Sequence, residues 1–383
     1  MSELIENRNN RTAIRRKLLT SASALALTIS SAGIVHAEDT DRPLVWIELG
    51  GQAENISGQG ELYTPGFLSA YSTSSILQEK LTPLQAQRPP LFSTGEEAKI
   101  SFQPEGSDWS VSASVRYGRS GNKRDVRHQT DEVHYRTYLS GRPKSGALIY
   151  TQEKFVDSHV SHNESHAVLD FMAGKDVGLG MFGPDGSSIL SAGIRIAQYA
   201  SNSSVDMRAR PDLHFKYVTL PPLRAQFPYF HTYHAQEIAT RRFRGIGPAL
   251  SWTGSASLLG NRDGGVSFDW GGNAALLFGR QRTRVGHQET GNDFPVFDGY
   301  PQLVYQHPSA GHPTAGHNSN RSITVPNAGG FAGLSWRVQN FKASMGYRAD
   351  FFFGALDGGI DTRKNENVGF CGPFASVSVG IGG

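Results

Sequence analysis

The stretch Trp109-Ser-Val-Ser-Ala-Ser-Val-Arg-Tyr117 alternates apolar and polar side chains without interruption. Successive side chains of a β-strand point to opposite faces, so the apolar residues share one face and the serines and arginine share the other. The apolar face begins and ends with an aromatic residue, which is typical of a strand that faces lipid between two girdles of interfacial aromatics. A strand of a soluble β-sandwich would alternate equally well, and the aromatic ends favour the transmembrane alternative.

Ten segments of the chain alternate in this way, and the connections between them alternate between short and long. Short periplasmic turns and long extracellular loops produce this order in a barrel. The fold class predicted is all-β: a transmembrane, antiparallel, up-and-down outer-membrane β-barrel of about ten strands. The segments are 43–51, 94–103, 109–117, 165–174, 189–199, 243–253, 266–279, 330–338, 341–353 and 370–381. The short connections are 104–108, 176–188, 259–265 and 339–340; the long ones are 52–93, 120–164, 200–242 and 280–329.

Two of the long connections also contain strand-like sequence. Residues 133–138 and 147–150 could form a hairpin around 141–146, and residues 212–219 could form a further strand. The sequence is therefore also compatible with a barrel of twelve or fourteen strands.

The N-terminus has the features of an export signal. Basic residues at Arg11, Arg15, Arg16 and Lys17 precede a moderately apolar run, and Val35-His-Ala37 is a small-x-small cleavage site. We predict a signal peptide over 1–37, cleaved after Ala37, and a barrel over 38–383 in the outer membrane of a Gram-negative-type envelope. After Ala37 no apolar run approaches the roughly 20 residues that a transmembrane helix needs.

The composition argues against several other classes of protein. The net charge of +3, with dispersed lysines and arginines, does not indicate nucleic-acid binding. Cys371 is the only cysteine, so the chain can form no intramolecular disulfide and no thiolate cluster. Ser165, His166 and Asp170 are close in sequence, but His166 and Asp170 would lie about 13 Å apart along one strand. No catalytic triad is visible, and we predict no enzymatic activity and no cofactor.

Histidines are frequent in the long connections and raise the question of a metal site. His159 with His162, or His231 with His234, could capture a metal ion from outside. Neither pair has the i, i+4 spacing that places two ligands on one helix face. Solvated histidines are the simpler interpretation, and we predict no metal.

Strand parity predicts which charged side chains face the lumen. These are Glu48, Arg116, Asp170, Arg195, Asp269, Arg337, Arg348 and Asp350. In one interpretation the four arginines form a basic stripe that favours anions in a pore. In the other they pair with Asp170, Asp269 and Asp350 and fill a narrow lumen, since ten strands lie nearer to a filled eight-stranded barrel than to a sixteen-stranded channel.

The densest basic cluster of the predicted barrel lies at the start of the 243–253 segment. Arg241, Arg242 and Arg244 would meet lipopolysaccharide phosphates there, or form a solvated rim.

Glycine and aromatic motifs over roughly 165–383 resemble the Legionella-type major outer membrane protein family, a group of pore-forming barrels. The motifs are Ala173-Gly-Lys-Asp-Val-Gly-Leu-Gly180, Ala192-Gly-Ile-Arg195, Phe243-Arg-Gly-Ile-Gly-Pro248, Ala274-Ala-Leu-Leu-Phe-Gly279, Gly346-Tyr-Arg-Ala-Asp-Phe351, Phe353-Gly-Ala-Leu-Asp357 and Gly369-Phe-Cys-Gly-Pro-Phe374. The resemblance implies a pore and supplies no catalytic residues.

We therefore expect a porin-like barrel that allows passive diffusion of small polar solutes. The alternative is a closed barrel that acts through its extracellular loops as a surface adhesin or an envelope-stabilising protein. The expected partners are outer-membrane lipid and lipopolysaccharide, the barrel assembly machinery and, for a pore, small polar solutes.

Overall fold

The computed structural model describes residues 45–58, 60–61, 92–104, 107–120, 123–138, 147–177, 187–210, 213–220, 223–260, 264–295, 307–309 and 315–382. Within these ranges the chain forms β-strands and no helix. The strands are β1 (Val45–Ser57), β2 (Phe92–Phe102), β3 (Trp109–Ser120), β4 (Lys123–Tyr138), β5 (Ala147–Asp176), β6 (Ser187–Arg210), β7 (Leu213–Leu220), β8 (Leu223–Gly260), β9 (Gly264–Pro295), β10 (His307–Ser309), β11 (Ala315–Val338), β12 (Phe341–Asp357) and β13 (Asn365–Ile381). The predicted signal peptide lies outside the described residues.

Ten of these strands form a closed antiparallel ring in the order β1, β2, β3, β5, β6, β8, β9, β11, β12, β13. The ring closes between the first and last strands, with pairs running from Val45↔Ile381 to Ser57↔Gly369. The prediction of a ten-stranded antiparallel barrel is confirmed. Closure leaves the ring itself without an unpaired edge, which is what a sheet in a lipid bilayer requires.

The three remaining strands extend the wall without joining the ring. β4 pairs with β5 from Lys123↔His162 to Tyr138↔Ala147, which confirms the predicted hairpin. β7, at the predicted 212–219 segment, pairs with β8, and β10 pairs with β9. The ring keeps ten strands, because each added strand pairs only with the extended end of a strand that already belongs to the ring.

The ring strands are far longer than the alternating segments. β5, β8 and β9 have 30, 38 and 32 residues, although about ten are enough to cross the apolar band. The predicted loops 120–164, 200–242 and 280–329 contain long parts of paired strands, which we call the extensions. The prediction that these ranges are loops is wrong for those parts. The outward face of the extensions is mostly polar, and their inward face mixes polar residues such as Ser203 with apolar ones such as Val205 and Met207. The apolar outward face that identifies a lipid-facing strand in sequence is therefore missing there. We call the end of the barrel with the extensions the long-connection end and the opposite end the short-connection end.

The turn at Gln339-Asn340 is typical of the short-connection end. Val338 pairs directly with Phe341, leaving a two-residue hairpin loop, as predicted. Gln339 has a φ of 49°, which matches the positive φ that the favoured two-residue hairpin turns need.

The outer face of the ring carries a continuous apolar band. In β3, Trp109 and Tyr117 are 57% and 42% exposed, as the opening stretch of sequence predicts. The same pattern holds around the ring, for example at Leu190, Ile246 and Phe278. In the part of the chain that the structure describes, no helix is long and apolar enough to cross a membrane.

The hydrophobic core lies inside the ring. Inward-facing side chains from most of the strands meet in one cluster, which includes Ile56, Val168, Tyr199, Phe243, Leu277, Phe352 and Phe370. From the short-connection end to the long-connection end, the inward side chains form three groups. These are a set of charged residues (the charged layer), this largely aromatic cluster (the aromatic layer), and residues 354–364, which comprise the end of β12 and the turn after it.

Candidate functional site

The charged layer consists of ion pairs that cross the lumen. Arg116 on β3 pairs with Asp350 on β12, and Arg348 on β12 pairs with Glu97 on β2. Both pairs join strands that are not neighbours in the ring, so the side chains meet inside the barrel. These ion pairs therefore occupy part of the lumen.

Arg195 is the most extensively bound residue of this layer. Its Nε and Nη2 donate to Oδ1 and Oδ2 of Asp170 at 2.7 and 2.9 Å, the two-pronged geometry that suits a guanidinium and a carboxylate. Its Nη1 donates to Oδ1 of Asn273 at 2.6 Å and also to Oδ1 of Asn327. Arg195 is buried and thus links β5, β6, β9 and β11.

The other predicted lumen residues lie nearer the short-connection end. Asp269 binds Lys342 at 2.6 Å, and Glu48 accepts a hydrogen bond from Ser376 Oγ at 2.7 Å. Arg337 is exposed, with its guanidinium carbon 4.8 Å from the centre of the Trp46 ring.

The aromatic layer spans the full width of the barrel. Tyr199 lies on the fifth strand of the ring and Phe370 on the tenth, so these two strands are opposite each other. Their ring centroids are nevertheless only 5.4 Å apart, and Phe352 contacts Tyr199 at 4.7 Å. Tyr199 and Phe352 are both 0% exposed. The layer therefore occupies the middle of the lumen with side chains from opposite strands.

His166 joins the aromatic layer to a buried carboxylate. Its ring centroid lies 4.0 Å from that of Phe370, and its Nε2 lies 3.3 Å from Oε2 of Glu54. Gly118 makes room for this arrangement, because a Cβ at that position would lie 2.2 Å from Cε1 of His166.

The segment 354–364, which we call the cap, folds into the long-connection end of the lumen. Ala355, Leu356 and Asp357 are buried. Gln281 Nε2 donates to the Ala355 carbonyl at 3.0 Å, and Arg241 Nε donates to the Asp357 carbonyl at 3.0 Å. The cap thus covers the aromatic layer and is tied to β8 and β9.

Two histidine–aspartate contacts hold the cap against the wall. His317 Nε2 lies 2.8 Å from Asp357 Oδ2, and His287 Nε2 lies 2.5 Å from Asp361 Oδ1. Burial alone would raise the pKa of Asp357, but hydrogen bonds from His317 and from the Lys364 and Gly359 amides hold it below its ordinary value of 3.8. The ionised form of Asp357 is therefore the form that the cap prefers.

This preference predicts that acid releases the cap. A carboxyl whose pKa is lower in the folded protein stabilises it above its ordinary pKa of about 4, and that stability is lost as the pH falls through the lower, folded pKa. We expect the Gly359 and Lys364 amides to lose protection from hydrogen exchange, corrected for intrinsic rates, between about pH 5 and pH 2. Asp357→Asn should remove this step, and the Met345 amide in the barrel wall should not show it. Equal protection of the cap at both pH values would contradict the prediction.

Comparison with known proteins adds little to this geometry. No protein-family model and no curated protein matches the chain. Among solved structures, it is similar to the translocator domain of the autotransporter NalP from Neisseria meningitidis. The identity is 8% and the TM-score 0.20, over 95% of this chain and 97% of that chain. A TM-score this low supports no transfer of function.

The alternation of side chains along each strand predicted charged residues of the lumen but not all of the residues that they contact. Arg116 and Arg195 pair with Asp350 and Asp170, as the filled-lumen interpretation expects, whereas Asp269 pairs with Lys342 instead of an arginine. The site also includes residues that were not among the predicted lumen residues: Glu97, Asn273, Asn327, Tyr199, Phe352, Phe370 and Asp357. Parity alone would have placed Tyr199 and Phe352 inside, but it carries no information on which strands meet across the lumen.

The prediction that Arg241 contacts lipopolysaccharide is wrong. Its side chain is 0% exposed and faces inward, where it lies 4.0 Å from Glu237 and binds the cap. Burial lowers the pKa of this guanidinium, and the charges of Glu237 and Asp357 partly offset the effect. Arg242 and Arg244 point outward and are exposed, because alternate residues of a strand lie on opposite faces.

His159 and His162 do not converge on a metal site. His162 faces inward and is buried, whereas His159 lies on the other face of the same strand. The side chain of His231 lies outside the described residues. Where side chains are described, no group of three or more histidine, cysteine or acidic residues is arranged to hold a metal ion.

Proposed function

We propose that this protein is an outer-membrane β-barrel whose lumen is blocked by its own side chains, and that it acts at the cell surface. In this role the short-connection end faces the periplasm and the long-connection end faces the outside. The long paired extensions would then form an extracellular wall suited to an adhesin or an envelope-stabilising protein.

The contact between Tyr199 and Phe370 is the observation that carries this proposal. Two aromatic rings from opposite sides of the barrel meet at 5.4 Å, with the charged layer on one side and the cap on the other. A path for solutes would have to cross all three layers. The apolar band on the outer face supports the placement in a membrane, since a soluble monomer rarely exposes so large an apolar surface.

A diffusion pore, the function expected from the sequence, is the second candidate. The observation that favours it is the polar lining of the lumen near the short-connection end, which includes Asp269, Lys342 and Glu48. The resemblance to the Legionella-type family implies the same activity. For conduction, the cap and the aromatic layer would have to move aside.

Single-channel recording of the refolded protein in a planar bilayer, under a salt gradient, separates the two candidates. We expect a silent bilayer with protein that is β-rich and heat-modifiable, because the aromatic layer leaves no continuous water path. Discrete and reproducible conductance steps would overturn the closed-barrel proposal. The reversal potential would then measure the ion preference that the four lumen arginines predict.

A further inference from the structure

Five arginines form a basic surface on the outer wall, which we call the arginine patch. It comprises Arg242 and Arg244 on β8 and Arg280, Arg282 and Arg284 on β9, all of them exposed. The two strands are neighbours, and their pairing places Arg242 opposite Arg282 and Arg244 opposite Arg280. The patch thus concentrates positive charge on two adjacent strands.

The residues around the arginine patch do not neutralise it. The outward residues beside it are Gln198 on β6, opposite Arg244, and Ser322 and Asn320 on β11, opposite Arg280 and Arg282. Within the described part of the chain, none of the five arginines forms an ion pair. Like charges directly opposite each other destabilise a sheet, so the patch has an energetic cost that a bound anion would remove.

The position of the patch indicates what kind of anion it meets. Ile246 and Phe278, each two residues closer to the short-connection end than an arginine of the patch, are exposed and belong to the apolar band. A shallow groove of about 510 Å³ crosses this boundary, lined in part by Phe278, Arg280, Ser322 and Thr324. A ligand lying there would meet the Phe278 ring and the Thr324 hydroxyl at one end, and the Arg280 guanidinium and the Ser322 hydroxyl at the other.

We propose that the arginine patch binds the phosphate groups of a phosphorylated glycolipid of the outer leaflet, whose acyl chains lie along Phe278 and the apolar band. Guanidinium groups bind phosphate oxygens in a two-pronged geometry, which explains the use of arginine rather than lysine. The continuity with the apolar band favours a lipid over a soluble acidic partner. The proposal rests on the proposed outer-membrane placement but is independent of the state of the lumen.

The test measures binding of lipid A to the refolded full chain in detergent by native mass spectrometry. Phosphorylated lipid A should bind the parent protein, and dephosphorylated lipid A should bind at least about tenfold more weakly, since about 1.4 kcal/mol corresponds to a factor of ten. Arg280→Gln/Arg282→Gln should weaken binding of the phosphorylated form by a similar factor. The matched control is Arg119→Gln/Arg208→Gln, which removes two exposed arginines elsewhere on the outer wall and should bind like the parent.

Three results would overturn the proposal. The first is equal binding of both forms of lipid A, and the second is equal binding of phosphorylated lipid A by the two double variants. The third is arginine-dependent binding of soluble polyglutamate that exceeds the binding of lipid A, which would indicate an acidic protein partner instead. A barrel that conducts ions and still discriminates between the two lipids would refute only the closed lumen, whereas a silent barrel without discrimination would refute only the glycolipid site.

Discussion

Replacing Phe352 by alanine is expected to destabilise the barrel by about 3–5 kcal/mol, the usual cost of truncating a fully buried phenylalanine. Phe352 is 0% exposed and contacts Tyr199 and Phe370 at centroid distances of 4.7 and 6.3 Å. Those contacts come from different strands, so the wall cannot collapse easily into the cavity that alanine leaves. The measurement is the free energy of unfolding in a denaturant titration of the barrel in lipid vesicles, followed by tryptophan fluorescence.

The neighbouring residue provides a matched control. Phe351 is 41% exposed on the outer face, so lipid chains would fill the space that Phe351→Ala leaves. We expect a cost of about 1–2 kcal/mol, from the lost transfer of the ring out of water and without a cavity. A slip of β12 by one residue would exchange the two faces and reverse the order of the two variants. A smaller loss for Phe352→Ala than for Phe351→Ala would therefore contradict the observed register.

Arg195→Ala is the second substitution expected to have a large effect. It would leave the Asp170 carboxylate and the amides of Asn273 and Asn327 without their guanidinium partner inside the barrel. Removing one member of a buried ion pair costs about 3–5 kcal/mol, chiefly because the remaining charge stays buried. The same unfolding titration measures it. Arg119→Ala, at an exposed arginine on the outer wall, should change stability by no more than about 0.5 kcal/mol.

The double variant Arg195→Ala/Asp170→Ala tests whether the lumen is dry. If the lumen excludes water, removing the orphaned carboxylate should recover stability, and the two changes should couple by at least about 1 kcal/mol. In a water-filled lumen Asp170 would remain solvated, and Arg195→Ala alone would cost no more than an exposed pair, about 0–1 kcal/mol. That second result would refute the blocked lumen by a route that does not use conductance.

The barrel itself could be predicted because its signal is local. Each lipid-facing segment, such as 109–117 or 341–353, alternates with a period of two, and this period depends only on the geometry of a single strand. The same reasoning placed Arg195 and Asp350 inside. The count of ten strands followed from the number of such segments, and the hairpin at Gln339-Asn340 from a two-residue gap between two of them.

The state of the lumen could not be predicted in this way. Parity places Tyr199 and Phe370 inside, but the ring order and diameter decide that their rings meet, 171 positions apart in the chain. The arginine patch depends likewise on the register of β8 against β9, and the correction of Arg241 shows how a cluster in sequence is divided between two faces. Sequence by itself determined the fold class and the two faces of each strand, since both follow from local backbone geometry. The tertiary structure alone decided that side chains from opposite strands meet in the lumen and that the patch is assembled, because both depend on how separate strands are placed against each other.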